Sequence, residues 1–267
     1  MCVDNEEHYG YKIKGGPMDA YTDFANVYDT FMDETPYEEW CEFLVQKLEE
    51  YKVPKGLVLD LGCGTGTLTE MLSKEGYDMI GVDNSSQMLS IAMEKREQSG
   101  ENILYLLQDM REFELYGTVG AVISVCDSLN YLLEEEDLVE TFRLVNNYLD
   151  PKGLFIFDFN TVYKYEEVIG DATIAENRED CSFIWENFYH EEEQINEYDL
   201  TIFVKEEGDV FRKFEENHFQ RGYQLEQMKE ALRQAGMVFI TAIDADTHEE
   251  VTPVSESIYC IARECGK

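Results

Sequence analysis

The sequence predicts an α/β protein built on a doubly wound, mostly parallel sheet of seven strands, with a small antiparallel β insertion. Three observations carry this. Between residues 57 and 160 short apolar runs alternate with segments of helical periodicity. A glycine-rich turn, Gly62-Cys63-Gly64-Thr65-Gly66, sits where the first run gives way to a helix. After residue 160 the rhythm changes to longer stretches rich in aromatic and β-branched residues. Strands buried on both faces read as continuous apolar runs, and helices between them imply parallel crossovers.

Residues 1–17 lack periodicity and end in Lys14-Gly15-Gly16-Pro17, which reads as a loose leader. Trp40, Phe43, Leu44, Leu48 and Tyr51 recur at helical spacing across 37–51, and Pro54-Lys55-Gly56 ends that helix. Strands are expected at 57–61, 77–82, 103–107, 119–125 and 153–159, with helices at 67–74 and 86–98 and another marked by Leu138, Phe142, Val145 and Leu149. The segments 181–190, 195–205 and 210–221 read as antiparallel hairpin strands. A last helix runs through Leu225, Met228 and Leu232 to Gly236, and strands at 237–244 and 257–263 complete the sheet. The resulting organisation is a leader and lid at 1–36, a main domain at 37–165 and 222–267, and the insertion at 166–221.

Charge narrows the partners. The chain has 57 acidic and 21 basic residues, a net charge of −36. Such a surface repels phosphate backbones and anionic bilayers, so neither nucleic acid nor a membrane is an expected partner. No apolar run approaches the roughly 20 residues of a membrane span. The seven cysteines include no C-x-x-C pair and are scattered through apolar stretches, which fits free thiols in a reducing, cytoplasmic setting. His8, His190, His218 and His248 are far apart, and no metal-ligand cluster is expected.

The glycine turn belongs to Val58-Leu59-Asp60-Leu61-Gly62-Cys63-Gly64-Thr65-Gly66-Thr67. Glycines at a strand-to-helix turn let a ligand approach the backbone, and the helix start presents unpaired N–H groups. A dinucleotide-binding turn wants G-x-G-x-x-G, whereas here the spacing is G-x-G-x-G with Thr67 at the third dinucleotide position. The turn also lacks the lysine of a nucleoside-triphosphate loop. An NAD-type oxidoreductase and a non-catalytic cofactor-binding module remain as alternatives.

Asp60-Leu61-Gly62-Cys63-Gly64-Thr65-Gly66 closely resembles the signature loop of the class I S-adenosylmethionine-dependent methyltransferases, whose sheet is Rossmann-like. The resemblance implies S-adenosylmethionine as cofactor and transferase activity. It places the backbone of Gly62, Cys63 and Gly64 along the methionine part of the cofactor, and Asp60 suits an α-ammonium group. Asp83, ending the second strand before Asn84 and Ser85, has the position of an acid that accepts from both ribose hydroxyls. Met88 is expected near the adenine. In Gln108-Asp109-Met110 the acid is expected to accept from the adenine amino group and the next N–H to meet a ring nitrogen. Val125-Cys126-Asp127-Ser128-Leu129-Asn130-Tyr131 ends the fourth strand, where this family exposes its substrate-facing loop.

Tyr21-Thr22-Asp23-Phe24-Ala25-Asn26-Val27-Tyr28-Asp29, then Tyr37-Glu38-Glu39-Trp40, and the stretch Glu216 to Tyr223 (E-x-H-x-Q-R-x-Y) resemble a bacterial small-molecule subgroup similar to sugar N,N-dimethyltransferases. That implies a small-molecule acceptor methylated at N or O, and an insertion that serves as lid, homodimer surface or both. Tyr21 and Tyr28 fit a lid over the cofactor or ordinary helix-face aromatics. Asn130 fits either a group that orients the acceptor or a local cap. His218 is the histidine placed to act as a base, or it is a structural strand residue. Arg221 suits an anionic acceptor group or a carboxylate partner.

Overall fold

A computed structural model of the chain describes residues 28, 29, 32, 35–206, 208 and 210–267. The leader and Tyr21 lie outside the described residues. From Tyr37 the chain runs α1 (Tyr37–Glu50), β1 (Leu57–Leu61), α2 (Thr67–Lys74), β2 (Asp78–Asp83), α3 (Ser86–Ser99), β3 (Leu104–Leu107), β4 (Val119–Ser124), α4 (Glu135–Tyr148) and β5 (Leu149–Asn160). Four strands follow: β6 (Thr173–Asn177), β7 (Cys181–His190), β8 (Ile195–Lys205) and β9 (Phe211–Arg221). Then come α5 (Leu225–Gln234), β10 (Val238–Asp244) and β11 (Ser257–Arg263).

The main sheet has the order β10-β11-β5-β4-β1-β2-β3. Strands β3, β2, β1, β4 and β5 are mutually parallel, and β11 enters antiparallel beside β5. Side chains alternate between its two faces. Leu59, Leu61, Val122, Phe155, Phe157 and Cys260 pack with Phe142 and Val145 of α4 and Met228 and Leu232 of α5. Val58, Ala121, Ile123, Ile156 and Ile261 pack with Phe43, Leu44 and Leu48 of α1 and Leu68 and Leu72 of α2. A period of two in the strands meets the i, i+4 spacing of the helices, so each face finds its own cover. The α/β architecture, its seven-stranded mostly parallel sheet and a separate antiparallel sheet match the sequence expectation.

The second sheet is antiparallel, β6-β7-β8-β9. Strand β6 is missing from the sequence reading. Only Glu176 in it is half-buried, the rest being exposed, so no apolar alternation marks it, and it exists through pairing with β7. Between β5 and β6 lies a π-helical turn, Lys164–Ile169, also unmarked by periodicity. No described helix is long and apolar enough to cross a membrane.

Candidate active site

The parallel strands end on one edge, and the site is built there. The turn between β1 and α2 needs three left-handed residues: Gly62, Gly64 and Gly66 have φ of 84°, 53° and 73°. The N–H groups of Gly62 and Cys63 both donate to the Val82 carbonyl, at 2.8 and 3.0 Å, which folds the turn back over β2. A Cβ at Gly62 would lie 2.6 Å from Ser128 Oγ, whereas one at Gly64 meets nothing within 4 Å. The first glycine is there for close packing. At the second, the backbone faces open space that a ligand can fill.

Carboxylates gather around this turn. Asp83, at the end of β2, accepts from Gly64 N–H through Oδ2 and from Ser85 N–H through Oδ1, both at 2.8 Å. Desolvation pushes its carboxyl up, and those N–H groups hold it down. Asp60, in β1, is 3 % exposed and accepts from Thr69 Oγ1 at 2.6 Å. Burial pushes it up to about 7, Thr69 opposes that, and Asp83 adds to it. Asp109, after β3, is held by both arms of the Arg111 guanidinium at 2.9 and 2.6 Å, which lowers its carboxyl. Sequence reasoning missed that pair. Ser85 caps α3 by accepting from Met88 N–H at 3.2 Å, which fixes Met88 and Asn84 beside the turn.

After β4 the chain makes two successive left-handed residues, Cys126 (φ 64°) and Asp127 (φ 51°). Non-glycine residues hold this conformation at a cost of about 1–2 kcal/mol each. Asp158 of β5 offsets it by accepting from both N–H groups, at 3.1 and 3.0 Å. Desolvation, then repulsion from Asp127, pushes Asp158 up to about 7. This loop carries Cys126 and Asp127 to the site and then forms a 3₁₀ turn, Ser128–Tyr131.

Asn130 and Arg221 are brought elsewhere. Asn130 is fully buried; its amide donates to the carbonyls of Asn160 (2.9 Å) and Arg221 (2.7 Å) and accepts from Asn160 N–H (2.9 Å). These are the contacts of a clamp between the ends of β5 and β9, not of a group that orients an acceptor. Arg221 donates to the Leu133 carbonyl at 2.9 Å and pairs with Glu135 at 3.4 Å, the carboxylate partner rather than an acceptor site. From the chain preceding α1, Tyr28 lies 3.6 Å from Cys126 Sγ through its hydroxyl, and Asp29 bridges Lys95 (2.6 Å) and Thr65 (2.7 Å).

His218 lies on β9, 2 % exposed. Its Nε2 is 3.2 Å from Glu216 Oε2, and its ring stacks on Tyr198 with centroids 5.1 Å apart. Glu216 was not singled out from the sequence. The signal was available, since residues i and i+2 of a strand share a face. Tyr198 pairs with His218 and Leu200 with Glu216 in the β8–β9 register, and Trp185 stands opposite Leu200. A recess of about 1480 Å³ joins the glycine turn, Asp83, Met110, Cys126, Tyr131 and this Trp185–His218 face, and reaches round the sheet to side chains of its outer face. Asn130 and Arg221 are not among its lining residues.

The fold and this turn define an α/β protein that cradles a nucleoside-bearing cofactor at the carboxyl edge of a parallel sheet. A methyltransferase-domain family model matches residues 58–153. YqeM of Bacillus subtilis (strain 168), whose name gives it provisionally as a methyltransferase, is 38% identical over 242 residues, covering 90% of this chain and 95% of that one. An S-adenosylmethionine-dependent methyltransferase from Clostridium acetobutylicum ATCC 824 superposes with a TM-score of 0.84 at 28% identity, over 92% of this chain and 99% of that one. The dTDP-3-amino-3,4,6-trideoxy-α-D-glucopyranose N,N-dimethyltransferase of Streptomyces venezuelae is 31% identical over 138 residues, covering 51% of this chain and 56% of that one. The chain belongs to the S-adenosylmethionine-dependent methyltransferases, and S-adenosylmethionine is its cofactor.

Proposed function

We propose that the chain methylates a nitrogen or oxygen of a small-molecule acceptor held between the glycine turn and the four-stranded sheet, with His218 taking up the acceptor's proton. The observation that carries this reading is the buried His218–Glu216 pair on the wall of the recess that begins at the glycine turn. A histidine oriented by a carboxylate is the arrangement of a general base. The relative from Streptomyces venezuelae is named for dimethylation of an amino sugar, which supports a small amine among the acceptors considered.

The residues present fit the cofactor. The open side of Gly64 gives room above the backbone, and Asp83 has the carboxylate a ribose diol needs. In this reading Gly62, Cys63 and Gly64 hold the methionine end with Asp60 at its ammonium. Asn84, Met88, Asp109 and Met110 surround the nucleoside, and Cys126 and Tyr28 close the methyl side. When bound, S-adenosylmethionine supplies an electrophilic methyl group and a neutral leaving group, so the chain has no leaving group to protonate. What its residues must do is align the acceptor atom about 3 Å from that methyl group and exclude water. A cytoplasmic location belongs to the same reading, supported by free thiols at Cys41, Cys63, Cys126, Cys260 and Cys265.

Titration calorimetry of S-adenosylmethionine, S-adenosylhomocysteine and NAD into the wild type and Asp83→Ala tests the cradle. Binding of the first two, weakened in the variant and absent for NAD, is expected. Release of S-adenosylhomocysteine across a panel of amines, alcohols and phenols tests the acceptor. Turnover only with a nucleic acid or protein acceptor would refute the small-molecule reading.

A further inference from the structure

Around His218 the structure shows a chain of polar groups longer than a base and its partner. Tyr131 Oη lies 3.3 Å from His218 Nδ1 and 3.1 Å from Tyr198 Oη. Beyond the ring, Glu216 Oε2 lies 3.2 Å from Nε2. The side chains of His218 and Glu216 are 1 % and 3 % exposed, whereas Tyr131 is only half-buried and lines the recess. The hydroxyl is therefore the most exposed member of the chain, and the imidazole and carboxylate are both buried.

The position of Tyr131 follows from its turn. In a 3₁₀ helix side chains three apart eclipse one another, so Ser128 and Tyr131 project from the same side of Ser128–Tyr131. Ser128 Oγ donates to the Gly62 carbonyl at 3.2 Å. The turn that touches the cofactor loop thus also sets Tyr131 on the recess wall. Both faces of the arrangement are fixed: the His218 ring is stacked on Tyr198 at an interplanar angle of 20°, and Tyr131 meets it edge-on at 67°.

We propose that Tyr131 is the catalytic residue that meets the acceptor, relaying its proton to His218, and that Glu216 is a positioning residue that holds His218 as the Nε2–H tautomer. This rests on the reading of His218 as proton acceptor given above. In that tautomer Nε2–H donates to Glu216 and Nδ1 accepts from the Tyr131 hydroxyl. The acceptor atom forms its bond to the methyl carbon as the sulfur–methyl bond breaks, and it loses one proton. That proton goes to Tyr131 Oη while the tyrosine's own proton passes to His218 Nδ1. Tyr131 ends as it began, and the imidazolium faces Glu216 until it releases the proton to water. The relay defines a class of acceptor: an alcohol, a phenol, or a primary or secondary amine, each of which has a proton to give. A tertiary amine or a thioether has none and gains nothing from it.

The test uses the full chain, labelled with ¹⁵N-histidine and saturated with S-adenosylhomocysteine. Long-range ¹H–¹⁵N correlation reads the tautomer of His218 directly, with His218→Asn assigning the resonances. The expected result is Nε2–H with an accepting Nδ1. Tyr131→Phe then shifts the Nδ1 resonance while leaving S-adenosylhomocysteine affinity unchanged, and Glu216→Gln yields a mixture of tautomers. An Nδ1–H tautomer, or an Nδ1 resonance indifferent to Tyr131→Phe, overturns the relay. With the acceptor returned by the screen, Tyr131→Phe lowers kcat at least tenfold. If methyl transfer is present, is lost in His218→Asn and is unchanged in Tyr131→Phe, the relay fails and the reading of His218 stands. If no small molecule is methylated, that reading fails instead.

Discussion

Replacing Asp60 by asparagine removes a carboxyl that burial pushes up to about 7 and that stands 2.6 Å from the Thr69 hydroxyl. If this group meets the cofactor's ammonium, only its ionised form binds well. At pH 7 an acid of that strength is about half protonated, and at pH 6 about nine-tenths. Affinity for S-adenosylhomocysteine should therefore fall about fivefold from pH 7 to pH 6, equivalent to about 1 kcal/mol. Binding at pH 7 should release about half a proton. The ligand's own α-amino group, next to its ionised carboxylate, titrates above this window, so that group does not mask the slope. Calorimetry in two buffers of different ionisation enthalpy measures both quantities. Asp60→Asn should bind more weakly at either pH and lose the slope. A wild type whose affinity is flat between pH 6 and pH 7, or a variant that keeps the dependence, refutes the assignment.

Further outcomes follow from the same geometry. Gly62→Ala and Gly64→Ala should separate packing from binding. The first drives a Cβ against Ser128 and should cost several kcal/mol of stability by denaturant titration, about what overpacking at a strained φ implies. The second should unfold near the wild-type midpoint, within about 2 kcal/mol, and lose at least tenfold in cofactor affinity. Asn130→Ala removes three hydrogen bonds to backbone groups, leaving the Asn160 carbonyl its bond from Tyr223 N–H, and should cost about 2–3 kcal/mol. Asp60 and Asp158 both titrate near 7 in the fold and near 3.8 when unfolded, so the native state binds more protons between those values. Stability of the free protein should therefore fall as pH rises from about 4 to about 7, and Asp158→Asn should flatten that slope. A stability that rises through this window refutes it.

The sequence made the main sheet legible because its strands are covered on both faces. LVLDL in β1 and VGAVIS in β4 have nowhere to lie but in a doubly packed layer. The glycine spacing and the acids at strand ends were legible for a related reason, since each lies within a few residues of the strand that positions it. What escaped was set by contacts between distant segments. The Glu216–His218 spacing hints at a shared face, but the joining of Tyr131 to His218 depends on the β8–β9 register and on the turn after β4. Asn130 was ambiguous in one dimension because its partners, the carbonyls of Asn160 and Arg221, are 30 and 91 residues away. Strand β6 was illegible because it is nearly all exposed, and only pairing with β7 makes it a strand.

The same distant contacts explain a feature that looks wasteful in isolation. Asp60, Asp83, Asp127 and Asp158 are drawn together at the carboxyl edge of one sheet, and desolvation raises the carboxyl of every one. Each is held by hydrogen bonds from Thr69, Gly64, Gln220 or the Cys126–Asp127 backbone, so geometry is fixed before any ligand arrives. Buried acids in mutual repulsion oppose folding, but they create a field that favours positive charge. S-adenosylmethionine carries both an ammonium and a sulfonium, and the product keeps only the ammonium. The cluster should therefore bind substrate more tightly than product, and the preference should shrink as salt is raised only to the extent that the site is open to solvent. Equal affinities for the two at low salt would show that the carboxylates serve the loop alone.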